Sequence, residues 1–412
     1  MASFSTSLSG LDAESQALSV IANNLANLNT VAYKSDRSNF EDLFYQQIGS
    51  SGNGNPTQVG VGATIGSITG DFTQGSIESS GVPTDVAIQG SGFFVVQNNG
   101  LQEYTRAGDF STNNTGELMT SDGANVLGYA AVNGVISPSQ TLSPLTIDTG
   151  ETSPPQSTSE VQIGMNLDAT AAVGDTFSTA ASAVDSLGDS HVLTYTFTKT
   201  GANAWNYQIT IPAADVGGTG NPVVVNSGSL TFNGSGQLTS PSGNVTGITI
   251  GGFADGASDL TFAWDVLDSN NNPLITQVAG TSAASSTEQD GYASGTLSSF
   301  SIQGDGTIQG IFSNGQTQTL GQIALASFPN VEGLVRNGDN NFLASLASGS
   351  ADVGAPNTGG RGTVSGGALE ESNVDVATEF SALILAQRGY EANAKAVTTF
   401  DQVTEDAINM KQ

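Results

Sequence analysis

His191 is the only imidazole in a chain of 412 residues, and no cysteine accompanies it. Composition therefore excludes disulfides, thiolate metal sites and cysteine nucleophiles. A lone histidine with no second histidine and no nucleophile at a recognisable spacing makes neither a zinc site nor a triad, and it reads as an ordinary strand residue. Carboxylates are abundant, and a glycosidase needs only two of them about 5 to 10 Å apart. Abundance is not placement, however, and no Asp or Glu pair stands out by motif. Gly304-Asp305-Gly306 resembles part of a calcium loop but lacks the EF-hand ligand series and any tandem glycine-rich repeat, so it reads as a hairpin turn. Trp205, Tyr207 and Trp264 would suit an adhesin or sugar-binding module if exposed, since sugars stack on aromatic rings. Large rings in β-rich segments more often fill the core. The sequons at Asn113, Asn233 and Asn244 carry no weight in so asparagine-rich a chain. No cofactor or metal is expected.

The charge balance narrows the partners. Nine Lys and Arg stand against 38 Asp and Glu, a net charge of −29, although only 11% of residues are charged. From 51 to 368 there are 25 acidic and 4 basic side chains, a net of −21. Such a chain has no basic patch for nucleic acid or an anionic membrane. No run approaches the roughly 20 apolar residues of a membrane span. The first 33 residues contain no Lys or Arg and no apolar block, so no cleavable signal peptide is expected. Glycine, Ser, Thr and Asn richness suits a protein outside the cell, reached by a route that leaves the N-terminus uncleaved.

Two elements stand out at the ends. Phe4, Leu8, Leu11, Leu18, Ile21, Leu25 and Leu28 follow helical steps and form one stripe, with gaps at Ser15 and Ala22. A second stripe runs through Val376, Phe380, Leu383, Ile384, Tyr390, Ala394 and Val397, continuing to Phe400 and Val403. Neither segment contains Gly or Pro apart from Gly10 and Gly389. These spacings predict terminal helices that pair as a coiled coil and point to assembly instead of catalysis.

Between the helices the pattern is β. Residues 297–328 alternate around turn signals at 304–306 and Asn314-Gly315, which predicts a meander. Residues 192–212 predict a hairpin turning at 201–203, and Asn233-Gly234 marks another turn. The fold class is mainly β with terminal α-helices, with two sandwich- or barrel-like domains nested between them. The boundaries read as 1–30 with 369–412 for the helical part and 31–70 with 350–368 for extended linkers. A discontinuous β domain takes 71–145 with 285–349, and an inserted β domain takes 146–284. Residues 49–66 hold too much Gly, Asn and Ser for a helix and too few apolar residues for a core strand.

At residues 22–35 the sequence ANNLANLNTVAYKS resembles the rod and hook family of bacterial flagellar axial proteins. The segments AIQGSGFFVVQ (87–97), 104–129 and 288–328 are similar to the family's shared β domain. Residues 372–402 are similar to its C-terminal helix. The region from 146 to 284 carries little family signal beyond its position, and its presence places the chain with the hook members, a distal rod subunit being the alternative. The resemblance implies a homopolymer whose terminal helices line a tube around an export channel, with β domains outside, forming a flexible universal joint between rod and filament. Its implied partners are further copies of itself, rod and junction proteins, a hook cap and the flagellar export apparatus. It also assigns Asn23, Asn24, Asn27, Asn29, Tyr33 and Lys34 to the family motif and both helical stripes to subunit interfaces.

Local chemistry adds finer expectations. Ser372 with Asp375 reads as a capping box opening the C-terminal helix, and Glu391 precedes Lys395 in the favourable order. The clustered asparagines suit either local capping or contacts with another subunit. Ala32 stands where the family usually has Gly, and Ala disfavours positive φ, so no left-handed turn is expected there. The extended segment from Gln46 to about Ile65 reads as a strap reaching an adjacent subunit and stiffening the polymer.

Overall fold

The computed structural model describes residues 2–50, 52–53, 55–137, 141–148 and 150–410. Two long helices, α1 (Ala2–Ala26) and α2 (Val376–Asn409), stand at the ends of the chain. The rest of the described chain is strand and turn with two short 3-10 turns. It divides into two compact units, the first from 1–149, 299–310 and 318–412, the second from 150–298 and 311–317.

In the first unit, strands Phe93–Asn98 and Leu101–Thr105 form a tight hairpin. Its two turn residues, Asn99 and Gly100, both take positive φ, at 49° and 84°, the geometry of a type I′ turn that matches strand twist. Asn125–Ala130 pairs with the first of these strands, and Leu325–Ser327 adds on through Phe93 and Phe94. Phe93 anchors this core, with its ring 5.9 Å from Phe72 and Phe328 and 5.6 Å from Phe342. At residues 303–307 the backbone closes a turn, with Gln303 N–H donating to Thr307 O at 2.9 Å. The Asp305 carboxylate accepts from Thr307 N–H at 3.0 Å, so this aspartate shapes a turn.

The stretch read as a linker after α1 is regular. It forms β1 (Asp36–Asp42), β2 (Tyr45–Ser50), β3 (Pro56–Gly60) and β4 (Ala63–Gly70). β1 pairs antiparallel with β4, and β2 with β3. Every residue of β2 and β3 is exposed. Backbone pairing alone organises these two strands, because their sequence supplies no core.

The second unit is a β-sandwich. One sheet is an antiparallel meander of Thr176–Val184, Ser190–Gly201, Ala204–Ile211, Val223–Phe232 and Leu238–Ser240. The other centres on Glu160–Asn166, which pairs antiparallel with Ala283–Gln289 but parallel with Leu260–Asp265 and Ile275–Thr276. Those parallel pairs join segments about a hundred residues apart in the sequence, which turn signals do not reveal. Alternation places Leu193, Tyr195, Phe197, Trp205, Ile209 and Trp264 inward, each at most 1% exposed. The aromatic rings considered for sugar stacking are therefore core residues, Tyr207 included at 7%.

Candidate assembly interface

α1 and α2 pack antiparallel. Gly10 lies against Asn393, Glu14 against Gly389, and Asn24 Nδ2 donates to Glu379 Oε1 at 3.0 Å. Each of these pairs falls in the same antiparallel register. The seam is made mainly of small side chains: Ala13 and Ala17 are 1% and 3% exposed and Ala386 is the buried residue of α2, with Ile21, at 9%, the one large apolar residue among them. A Cβ on Gly10 would sit 2.8 Å from Asn393 Nδ2, and one on Gly389 would sit 2.5 Å from Glu14 Oε1. Both glycines thus permit the close approach.

The apolar stripes expected to form the seam mostly lie elsewhere. Of the N-terminal set, only Ile21 is buried. Leu11, Leu18, Leu25 and Leu28 are half-buried, while Phe4 and Leu8 are exposed. On α2, Leu383, Ala394 and Val397 are half-buried, whereas Val376, Phe380, Ile384 and Tyr390 are exposed. Leu385, 73% exposed, was not singled out by spacing and borders a groove with Ile21 and Phe40. The reason is steric: two glycines and several alanines bring the helices so close that Ile21 is the one leucine-sized side chain buried on the shared side. Large side chains are left outside.

The reach of α2 exceeds that of α1. At 1.5 Å per residue, 34 residues span about 51 Å and 25 residues about 37 Å. In the observed register the last turns of α2 run past the start of α1, and Asp401–Met410 is exposed throughout. At the other end of α2 the cap differs from the expected box. Asp375 is itself the N-cap, its carboxylate accepting from Thr378 N–H at 2.7 Å. That bond holds the carboxyl below its usual range. Ser372 lies outside the helix, its hydroxyl accepting from Val374 N–H at 3.4 Å.

Residues 23–34 build a buried polar hub where α1 ends. Asn24 Oδ1 accepts from Asp36 N–H at 2.9 Å while its amide donates to Asp36 O at 2.8 Å. Asn23 donates to the Tyr33 hydroxyl at 3.0 Å, and Asn27 donates back to Asn23 O at 2.9 Å. Asn29 is exposed. Lys34 is fully buried, with Nζ 2.6 Å from Glu370 Oε1 and 2.7 Å from Thr73 O. Arg106 Nε reaches the other Glu370 oxygen at 3.1 Å and donates through one terminal nitrogen to Gly90 O and Gly92 O, both at 2.8 Å. Arg336 stands over the Tyr33 ring, 5.4 Å from its centroid, and donates to Lys34 O at 2.6 Å. The motif asparagines near the hub are thus engaged within the chain.

Ala32 contradicts its sequence expectation. Its φ is 54°, and its N–H donates to Glu370 O at 2.7 Å. The left-handed turn is imposed because Tyr33 and Lys34 must both point into the hub, with Asn373 N–H donating to Tyr33 O and Ser35 N–H to Asn373 Oδ1.

Glu370, Arg106, Arg336 and Asn373 were not singled out from the sequence. One signal was available: with nine Lys and Arg in 412 residues, each cation is conspicuous, and three of them converge here. A groove of about 590 Å³ runs beside the hub, bordered by Val20, Ile21, Phe40, Leu385 and Ala386 with Arg37 and Asp36 at its rim.

Comparisons with known proteins bear on this arrangement. Residues 4–34 match the model for flagella basal body rod proteins, and 87–166 match the flagellar hook protein FlgE/F/G D1 domain. Residues 158–292 match the flagellar basal body protein FlaE D2 domain, and 365–410 match the flagellar basal body rod FlgEFG C-terminal model. The flagellar hook protein FlgE of Treponema pallidum is 34% identical over 464 aligned positions, covering 100% of both chains. The chain belongs to the flagellar hook protein family. The hook protein FlgE of Escherichia coli is 35% identical and that of Salmonella typhimurium 36%, each covering 99% of this chain and 100% of the relative. The crystal structure of Helicobacter pylori hook protein FlgE2 aligns with 15% identity and a TM-score of 0.49, covering 70% of this chain and 98% of that one. In this hook-family chain, the match at 4–34 spans α1 and the motif, and the match at 365–410 spans Glu370 and α2. The hub joins the two.

Proposed function

We propose that the chain is a structural subunit of the bacterial flagellar hook, without catalytic activity, which polymerises through its terminal helices into a curved tube. The carrying observation is the large apolar side chains that the helix pair leaves uncovered: Phe4, Leu8, Phe380, Ile384, Leu385 and Tyr390 are between 41% and 73% exposed. Covering such half-exposed side chains contributes about 1 kcal/mol each, hence about 6 kcal/mol for the set. Association of two molecules costs about 4 to 15 kcal/mol, so one such contact barely sustains a dimer. Several simultaneous neighbours overcome that cost, as they do in a tube wall.

In this reading the tube encloses an export channel and acts as a universal joint carrying torque from rod to filament. Its partners are further copies of itself, rod and hook-filament junction proteins, a hook cap and the export apparatus. The extracellular flagellar hook is its location. No described helix is long and apolar enough to cross a membrane. The β2–β3 hairpin supports a role against neighbouring subunits, because an isolated two-stranded hairpin is marginal in water. Phe44 and Ile48 are 92% and 64% exposed there, and Tyr45 is 58% exposed.

The test is polymerisation of purified full-length protein, compared with protein trimmed of roughly the first 30 and last 40 residues. Curved tubes from the intact chain and none from the trimmed one, seen by electron microscopy, are expected. A full-length protein that stays monomeric under polymerising conditions with protease-resistant ends would overturn the reading.

A further inference from the structure

His191 is not the ordinary strand residue its isolation suggests. Its Nε2 lies 3.0 Å from Asp185 Oδ2 and its Nδ1 lies 3.1 Å from Asp215 Oδ2. A carboxylate only accepts, so both ring nitrogens must donate, and a neutral imidazole carries a single N–H. The geometry therefore requires the imidazolium. We propose that His191 is the pin of a proton-operated clamp in the second unit: protonated, it ties three separate segments together, and losing its proton as pH rises releases them.

The three segments are distinct. His191 and Asp185 belong to the hairpin of Thr176–Val184 and Ser190–Gly201, where Ala183 pairs with His191. Asp185 is held rigidly, since its Oδ1 accepts from the N–H groups of Leu187, Gly188 and Asp189 at 2.8 to 3.0 Å. Asp215 lies on the 3-10 turn Ala213–Val216. The loop 251–259 supplies Phe253, whose ring centroid is 4.6 Å from that of His191. Backbone bonds extend the link: Ala254 N–H donates to Asp215 O, and Ser258 N–H to the Ser186 hydroxyl.

The charges around the ring all favour the proton. Asp185 and Asp189 lie on its own hairpin, Asp215 on the 3-10 turn, and Asp255 and Asp259 on the loop, with no Lys or Arg in 182–192, 213–218 or 251–259. Burial alone would push the imidazole down, but the hydrogen bonds and charges of Asp185 and Asp215 outweigh it and raise its pKa above the ordinary value. Burial would push the Asp185 carboxyl up, but the hydrogen bonds it accepts from His191 and from the Leu187 and Asp189 N–H groups outweigh that and bring it down to about 2. The histidine contribution is therefore complete below its unfolded pKa near 6.5 and disappears as pH rises through the higher folded value. The Asp185 contribution is complete above its unfolded value and is lost only as pH falls toward 2. Between roughly pH 4 and 6.5 the clamp is shut.

Ligand atoms of Asp185, His191 and Asp255 lie within 4.8 Å of one another.

Because the chain has one histidine, its imidazole resonances can be followed by proton NMR on the intact monomer without assignment. With EDTA present, the expected titration midpoint lies above 6.5, and Asp215→Asn lowers it. Hydrogen exchange at 213–218 and 251–257, corrected for intrinsic rates, is expected to accelerate above that midpoint in the native protein. In His191→Gln, which keeps a hydrogen bond but no charge, exchange there should not depend on pH. A midpoint at or below 6.5, or one unmoved by Asp215→Asn, would overturn the clamp. Without EDTA, equimolar zinc that abolished the proton titration would overturn it in favour of a metal site.

Discussion

Lys34 and Glu370 are 336 positions apart in the sequence, yet Nζ and Oε1 meet at 2.6 Å with both side chains fully buried. Burial holds the Lys34 ammonium below the usual lysine range, against the opposing pull of Glu370. Glu370 serves Arg106 as well, so it is the residue the hub cannot lose. Glu370→Ala leaves two buried cations uncompensated and should destabilise the first unit by about 3 to 5 kcal/mol. Lys34→Met leaves the Arg106 pair intact and should cost clearly less. Denaturant unfolding of the full chain measures both, and equal losses would mean the carboxylate is not shared in this way.

Ala32 offers a second test. A left-handed conformation costs a non-glycine residue about 1 to 2 kcal/mol, and glycine returns part of that through greater freedom in the unfolded chain. Ala32→Gly is expected to be neutral or to stabilise by about 0.5 kcal/mol. Ala32→Val adds a β-branched side chain at positive φ in a site only 2% exposed, and should cost upwards of about 2 kcal/mol. Thermal unfolding distinguishes them. A strongly destabilised glycine variant would show that the alanine methyl, not the backbone, is what the hub requires.

The helix pair separates folding from assembly. Ala17 is buried in the seam while Phe380 is 51% exposed. Ala17→Leu should overpack the seam at a cost of about 1 to 3 kcal/mol and loosen the pair in the monomer. Phe380→Ser should leave monomer stability within about 0.5 kcal/mol but suppress tube formation. If Phe380→Ser polymerised as well as the native chain, the outer face would not be the interface.

Removing residues 49–58 shortens the β2–β3 hairpin without touching β1 or β4. The expected result is a polymer that still forms but bends more easily. Unchanged stiffness and curvature, measured from fluctuations of single tubes in micrographs, would remove the stiffening role.

Much of the architecture was readable because it depends on local period. The 3.6-residue stripes marked both helices, and period-two alternation between turn signals marked the hairpin at 192–212 and the meander at 297–328. What stayed hidden depends on distance or on tertiary override. The helix seam follows Gly10, Ala13, Ala17 and Gly389, small residues that a search for large apolar side chains passes over. The parallel pairing of 160–166 with 260–265 joins strands no local turn connects. Ala32 adopts the conformation its propensity opposes because the hub outweighs a penalty of about 1 to 2 kcal/mol. His191 stands alone in sequence but not in space, since its partners Asp185 and Asp215 are unremarkable among 38 acidic residues.

The unequal lengths of α1 and α2 have a final consequence. Two antiparallel helices of equal length would look nearly alike from either end and would invite a closed, two-fold symmetric dimer. Here the last turns of α2 project beyond α1, so the pair has a blunt end and a protruding end that are not interchangeable. Self-complementary surfaces close, whereas unlike ends add head to tail without limit. A head-to-tail contact would set the protruding end of one pair, where α2 exceeds α1 by nine residues, against a different surface of its neighbour.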